Sequence, residues 1–175
     1  MRNTLFALAL IVALPLYAQN KTINASKSKV EFTIQNAGLD VDGTFSKISG
    51  SVNFDAANLG AAKIEATVDV STINTGIDMR DKHLREEDYF EVEKYPTMKF
   101  VSSSVAKSGS GYSVTGNLTI KDVTKTVTIP FTASTAGTAV TLKGTFEIDR
   151  RDYNVGGNSW IMGDDVEIKL EVVAG

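Results

Sequence analysis

The sequence predicts an all-β protein. It reads as an eight-stranded antiparallel barrel with one short helix between strands three and four, and with an interior that is apolar but not filled. Three observations carry this reading. Eight stretches alternate apolar and polar residues with a period of two, which puts every second side chain on one face of a strand. The apolar face falls to a small residue in mid-strand at Gly50, Ala66, Ser102, Gly116, Ala133 and Gly144. A single charged run, Asp78 to Asp88, breaks the alternation. An eight-stranded barrel is wide enough either to be plugged by its own side chains or to hold one small ligand. The small residues withhold the bulk for plugging, so the pattern favours a binder of an apolar ligand.

Met1 to Ala18 has the form of a secretory signal. Arg2 supplies the positive charge, Leu5 to Leu14 is an apolar run, Pro15 breaks it, and Leu16-Tyr17-Ala18 is a passable cleavage site. The apolar run is too short to span a bilayer. Residues 19–175 then form one domain. Strand one covers Ser28 to Gln35, with Val30, Phe32 and Ile34 on one face, and Asn36-Ala37-Gly38 signals a turn. Strand two, Gly43 to Asp55, changes parity between Phe45 and Ile48, so a bulge or sharp bend is expected near Lys47. Strand three, Ala61 to Ser71, alternates Ile64, Ala66, Val68 and Val70 with Lys63, Glu65, Thr67 and Asp69.

The helix is expected over Asp78 to Asp88 (DMRDKHLREED), with Asp78 as its cap and with Asp78–Lys82 and Asp81–Arg85 as i,i+4 pairs. Tyr89-Phe90 and Tyr95-Pro96 return the chain to the sheet. Strands four to seven follow as a meander at Thr97 to Ala106, Gly111 to Lys121, Lys125 to Thr135 and Thr138 to Asp149. Arg150 to Asp164 is a Gly-rich loop containing Trp160, and Asp165 to Val173 is the last strand.

Composition excludes several classes. There is no cysteine, hence no disulfide framework, thiolate metal site or lipidated N-terminal cysteine. A net charge of −3 gives no electrostatic footprint for nucleic acid. No second apolar stretch is long enough for a transmembrane helix. An outer-membrane barrel shares the alternation, since parity does not say which face is inside. Against it stand the mid-strand position of most aromatics, the Gly and Ser in the apolar face, and the charged helix.

The sequence resembles the YceI family over nearly the whole mature chain. The most specific segment is Thr72 to Phe100, TINTGIDMRDKHLREEDYFEVEKYPTMKF. It matches a pattern of Thr-Gly, Arg-Asp-x-His-Leu-Arg, an Asp before two aromatics, and Tyr-Pro before an apolar strand. Gly116 to Ile120 with Val123-Thr124-Lys125, Val41 to Gly50, and Arg150 to Gly156 match further signatures. The chain departs from the pattern at Asn36, where many members carry histidine, at Asp122, where many carry glycine, and at Tyr153-Asn154. The resemblance implies a lipocalin-like barrel in the periplasm that binds a polyisoprenoid or similar lipid.

The expected ligand-binding residues are the inward apolar set: Phe32, Ile34, Phe45, Phe54, Ile64, Val68, Met98, Phe100, Leu118, Ile129, Phe131, Leu142, Phe146 and Ile168. A bent tunnel with this lining suits a long, thin hydrocarbon, each buried methylene contributing about 0.8 kcal/mol. Arg80, His83 and Arg85 are candidate head-group contacts, because an arginine fork suits phosphate oxygens. The competing reading is that Arg80 and Asp81 tie the helix to the barrel and that His83 is a packed side chain. No catalytic residue is assigned. His83 is the sole histidine, so a multi-histidine metal site is excluded, and there is no Gly-x-Ser-x-Gly elbow or phosphate loop. No cofactor is called for. The expected partner is a long-chain isoprenoid or fatty lipid, with no nucleic acid and no membrane-spanning segment. Oligomeric state stays open, a homodimer included, though a barrel closed on itself has no free edge to force dimerisation. Two rival readings are a lipid-active or redox-assisting enzyme using His83, and a structural stress protein with a filled barrel.

Overall fold

The computed structural model describes residues 20–175, so the expected signal segment lies outside the described residues. Among the described residues, one curled antiparallel sheet carries a single α-helix, α1 (Asp78–Leu84). Its strands are β1 (Lys21–Thr22), β2 (Lys29–Asn36), β3 (Leu39–Phe45), β4 (Ile48–Asn53), β5 (Lys63–Asp69), β6 (Ile73–Asn74), β7 (Thr97–Ser108), β8 (Gly111–Ile120), β9 (Val123–Ala136), β10 (Ala139–Asp149) and β11 (Met162–Ala174). The order across the sheet is β1-β4-β5-β7-β8-β9-β10-β11-β2-β3-β6.

The count is eleven strands rather than the eight expected. The long second strand is two, interrupted at Ser46 and Lys47 where the parity changed. β3 pairs with β2, Phe45 opposite Val30, while β4 pairs with β5, Ile48 opposite Val68. The remaining two are the two-residue strands β1, on β4, and β6, on β3. The N-terminal segment also ties β4 to β11. Ile23 N donates to Gly50 O at 3.0 Å, and Asn24 N to Val173 O at 2.8 Å. The fold is therefore barrel-like.

Parity sorts the side chains as anticipated. Val30, Phe45, Ile48, Ile64, Phe100, Val114, Ile129, Phe131, Leu142 and Val172 point inward and are buried. Outside, Lys143 faces Glu171 across β10 and β11 with an ion pair of 3.1 Å, and the hydroxyls of Thr115 and Thr128 meet at 3.0 Å. An exposed pair of this kind contributes only about 0.2–1 kcal/mol, against about 1.5–3 kcal/mol for burying one large apolar side chain. The inward face dominates the energetics.

Most of the small inward residues accommodate neighbours rather than leave space. A Cβ on Gly116 would come within 2.6 Å of the Phe100 ring and 2.5 Å of Val101 O. Gly50, with φ +134°, lies against the Glu65 backbone. The Ser102 hydroxyl, buried beside a register shift in β7, accepts the Ile64 N–H at 2.8 Å. Only Ala66 and Gly144 of the small set border open interior.

The helix is shorter than expected, and its polar contacts differ. Ile77, not Asp78, occupies the N-cap position, without a side-chain cap bond. Asp81 turns inward and accepts from Thr75 N at 2.8 Å and Thr75 Oγ1 at 2.5 Å. Arg85 donates to Ser71 O and Ile73 O. The anticipated Asp81–Arg85 pair gives way because the segment from Ser71 to Thr75 offers both side chains hydrogen-bond partners, a stronger option than a solvated pair.

Replacing Ser102 with alanine leaves the buried Ile64 N–H without an acceptor. Denaturant unfolding is expected to show a loss of about 1–3 kcal/mol. A loss below a few tenths would mean that water or a backbone shift replaces the hydroxyl.

Candidate functional site

The inward faces do not meet across the middle of the curled sheet. Two apolar spaces remain. A helix-side chamber of about 150 Å³ lies between β2, β3, the loop after α1 and the turn after β10. A far chamber of about 130 Å³ lies between β4, β5, β7, β8, β9 and β10. Val30, Met98, Ile120 and Ile168 line both, so the two chambers adjoin at these four side chains and together make up the slot. A cavity of about 150 Å³ with such a lining stays dry and accepts a benzene-sized group. Two in series suit an elongated apolar molecule.

The expected ligand-binding residues are brought together with one exception. Phe32, Ile34, Phe45, Met98 and Ile168 line the helix-side chamber. Ile64, Val68, Phe100, Leu118, Ile129, Phe131, Leu142 and Phe146 line the far chamber, together with Met98 and Ile168. Phe54 lines neither. Its ring packs edge-on against Tyr112 at 5.0 Å and Phe131 at 5.8 Å, and Tyr112 stacks on Phe131 at 5.5 Å. These three rings form a cluster beside the far chamber, which Phe131 also lines.

Val30, Ile48, Val114, Ile120, Val166 and Val172, strand positions with the same alternation that the expected set left out, line the chambers as well. Loops supply the remainder, which period-two reasoning could not find. Leu84, Tyr89 and Phe90 reach the helix-side chamber from α1 and the segment after it, and Tyr153 and Val155 from the turn after β10. Phe90 meets Phe45 edge-on at 6.0 Å. An adjacent aromatic pair in a charged run was the available signal. Arg150 fixes the second loop. Its buried guanidinium donates to Gly163 O, Val155 O, Gly157 O and Asp164 Oδ1 at 2.8–3.0 Å.

Of the three candidate head-group contacts, only Arg80 lines the slot. Its Nε donates to Thr75 Oγ1 at 2.7 Å and its Nη2 to Thr75 O at 2.8 Å. Arg85 is committed to the two carbonyls described above. The His83 ring lies edge-on to Tyr89 at 5.0 Å and borders neither chamber. Asn36 also lines the helix-side chamber, and its buried Oδ1 accepts no hydrogen bond. Among the described residues, no three His, Asp or Glu side chains converge as metal ligands do.

Burial, and secondarily the Asp152 charge, raises the Tyr153 phenol above its ordinary value of 10.0. The folded state thus disfavours the phenolate. Its contribution to stability is intact below pH 10 and is lost as pH rises towards the folded pKa. Alkaline unfolding should accordingly begin at higher pH in Tyr153→Phe than in the native chain. Identical alkaline limbs would place the weak point elsewhere.

Comparison with known proteins fits this geometry. A family model described as YceI-like domain matches residues 22–174. The chain is 44% identical over 99 residues to a UPF0312 protein of Photorhabdus laumondii, a match spanning 56% of this chain and 52% of that one. It is 33% identical over 154 residues to a UPF0312 protein of Yersinia pestis, covering 82% and 78%. Among solved structures, BcnA of Burkholderia cenocepacia superposes with a TM-score of 0.83 at 35% identity, covering 87% of this chain and 99% of that one. A polyisoprenoid binding domain from Saccharophagus degradans, implicated in plant cell wall breakdown, shares the fold at 16% identity. Its TM-score is 0.69, and the match covers 87% and 96%. The two-chamber curled sheet described here belongs to a member of the YceI family.

Proposed function

We propose that this protein is a periplasmic carrier that holds one long-chain apolar lipid, a polyisoprenoid foremost, along the two-chamber slot. One observation carries the reading: two narrow chambers almost without polar surface adjoin at four shared side chains. Ten methylenes buried there contribute roughly 8 kcal/mol before ordering costs. The shared fold of the polyisoprenoid binding domain from Saccharophagus degradans supports an isoprenoid as occupant. A lipocalin-like carrier needs no reacting group. His83, set against Tyr89 outside the slot, is accordingly read as packing rather than chemistry. Export rests on residues 1–18 as a cleaved signal.

Native mass spectrometry of the mature protein expressed with its own signal tests this directly. The expected result is a one-to-one long-chain lipid adduct and an N-terminus at Gln19. Phe100→Glu and Phe131→Glu each put a carboxylate into the far chamber. With circular dichroism showing the fold intact, retention of added polyprenol should drop at least tenfold. His83→Ala should retain the lipid as the native chain does. Undiminished retention in both Phe variants would remove the slot as the site, and a loss in His83→Ala would revive an enzymatic role.

A further inference from the structure

The large apolar side chains left most exposed among the described residues are Leu39, Ile77, Met79, Trp160 and Ile161. Four are 53–83% exposed, and Trp160 is fully so. All five lie at one end of the sheet. Leu39 opens β3 directly after the Ala37-Gly38 turn, both of whose residues have positive φ. The Ala37 N–H donates to Ile161 O at 2.5 Å, which sets Ile161 and its neighbour Trp160 beside that turn. Asn74 of β6 stands opposite Thr44 of antiparallel β3, so the chain from Thr75 to Met79 climbs towards the Leu39 end. Asn36, Thr75, Arg80 and Met162, the neighbours of these tips, line the helix-side chamber. The tips therefore surround the end of the slot. At the opposite end, the turns at 55–58, 108–111 and 136–138 carry only small or polar residues.

We propose that this end docks on the surface of a lipid bilayer, with the five tips immersed among the head groups and upper acyl chains. Scattered apolar side chains need no occupant, but five large ones gathered at one end of the sheet mark an interaction surface. They sit on three separate segments, a hairpin turn, a loop and the start of a helix. No continuous ridge or groove is presented to a protein partner, whereas a bilayer requires only that the tips protrude. Tryptophan suits the water–lipid boundary. Charges beside the tips are of both signs: Asp40, Asp42 and Asp78 against Arg80, Lys82 and Arg151. Such a rim complements a zwitterionic surface and has no basic cluster to seek an anionic one. The purpose of docking rests on the carrier reading. A slot with almost no polar surface leaves the lipid head group outside, and a docked mouth lets the chain slide in without crossing water.

Trp160 is the only tryptophan in the chain, so its emission reports the rim directly. Mature protein is titrated with phosphatidylcholine vesicles. The expected result is a blue shift, protection from acrylamide and co-flotation, all little changed by salt. Ile161→Asp and Met79→Asp, neither of which lines the slot, should each weaken partitioning by about tenfold. Both should still take up polyprenol delivered from detergent. Emission that stays that of a solvated indole, with protein left in the aqueous fraction, overturns the proposal. So does a blue shift without vesicles that follows a dimer mass, which would assign the rim to a second copy. Docking by a protein that takes up no polyprenol would leave this proposal standing and sink the carrier reading instead.

Discussion

The hand-over at Ser46 and Lys47 governs the shape of the interior. Phe45 and Ile48 both point inward although three positions separate them, which an unbroken strand forbids because facing alternates residue by residue. The interruption absorbs the extra residue and turns the chain. As a result β3 serves β2 while β4 serves β5, and two remote parts of the sheet are joined by two residues. Lys47 O accepts the Asp69 N–H at 2.9 Å and holds the turn against the end of β5. The curl follows from this, and so does the distance between opposing inward faces. Val30 of β2 and Met98 of β7 both border the space on either side and leave it unfilled.

An unfilled interior has to be stabilised by what surrounds it. Lining atoms of a void have no dispersion partners on one side, so the slot forfeits packing that a filled core would keep. The remainder of the inward face is dense. Phe100 lies over Gly116, the Ser102 hydroxyl stands in for a ladder acceptor, and Phe54, Tyr112 and Phe131 pack together with aromatic contacts. The small residues thus tighten the walls, and the slot is what remains when tight walls are bent around an axis. A hydrocarbon chain restores the missing contacts without asking the walls to move.

Facing parity carried most of the site. Any residue at an inward position of a regular strand was legible, and all the expected lining residues except Phe54 border the slot. Phe54 has the right parity but follows β4, past the last level at which the chamber is open. Strand count was less legible, because a two-residue strand such as β6 has no period to read. The helix contacts were misread for a different reason. The i,i+4 rule treats a helix as isolated, whereas Asp81 and Arg85 face backbone groups of the segment after β5. Tyr89, Phe90, Tyr153 and Val155 come from loops, where direction is set by caps and buried hydrogen bonds such as those of Arg150. Nothing in a one-dimensional pattern encodes which way such a loop folds back.

The two ends of the slot differ in kind, and that difference gives the fold a direction. At the far end, three packed rings adjoin the interior and the neighbouring turns are small or polar. At the helix side, the lining passes from apolar walls to Thr75, Arg80 and Asn36, and then to exposed apolar tips. The guanidinium of Arg80 spends two of its nitrogens on Thr75, and that of Arg150 is spent on three carbonyls and Asp164. Neither cation is positioned deep in the slot as a receptor for a charged group. Burying an unpaired phosphate there would cost far more than the surrounding hydrocarbon contacts return. On the carrier reading, a polar head would accordingly stay at the helix-side end while the hydrocarbon chain fills the chambers.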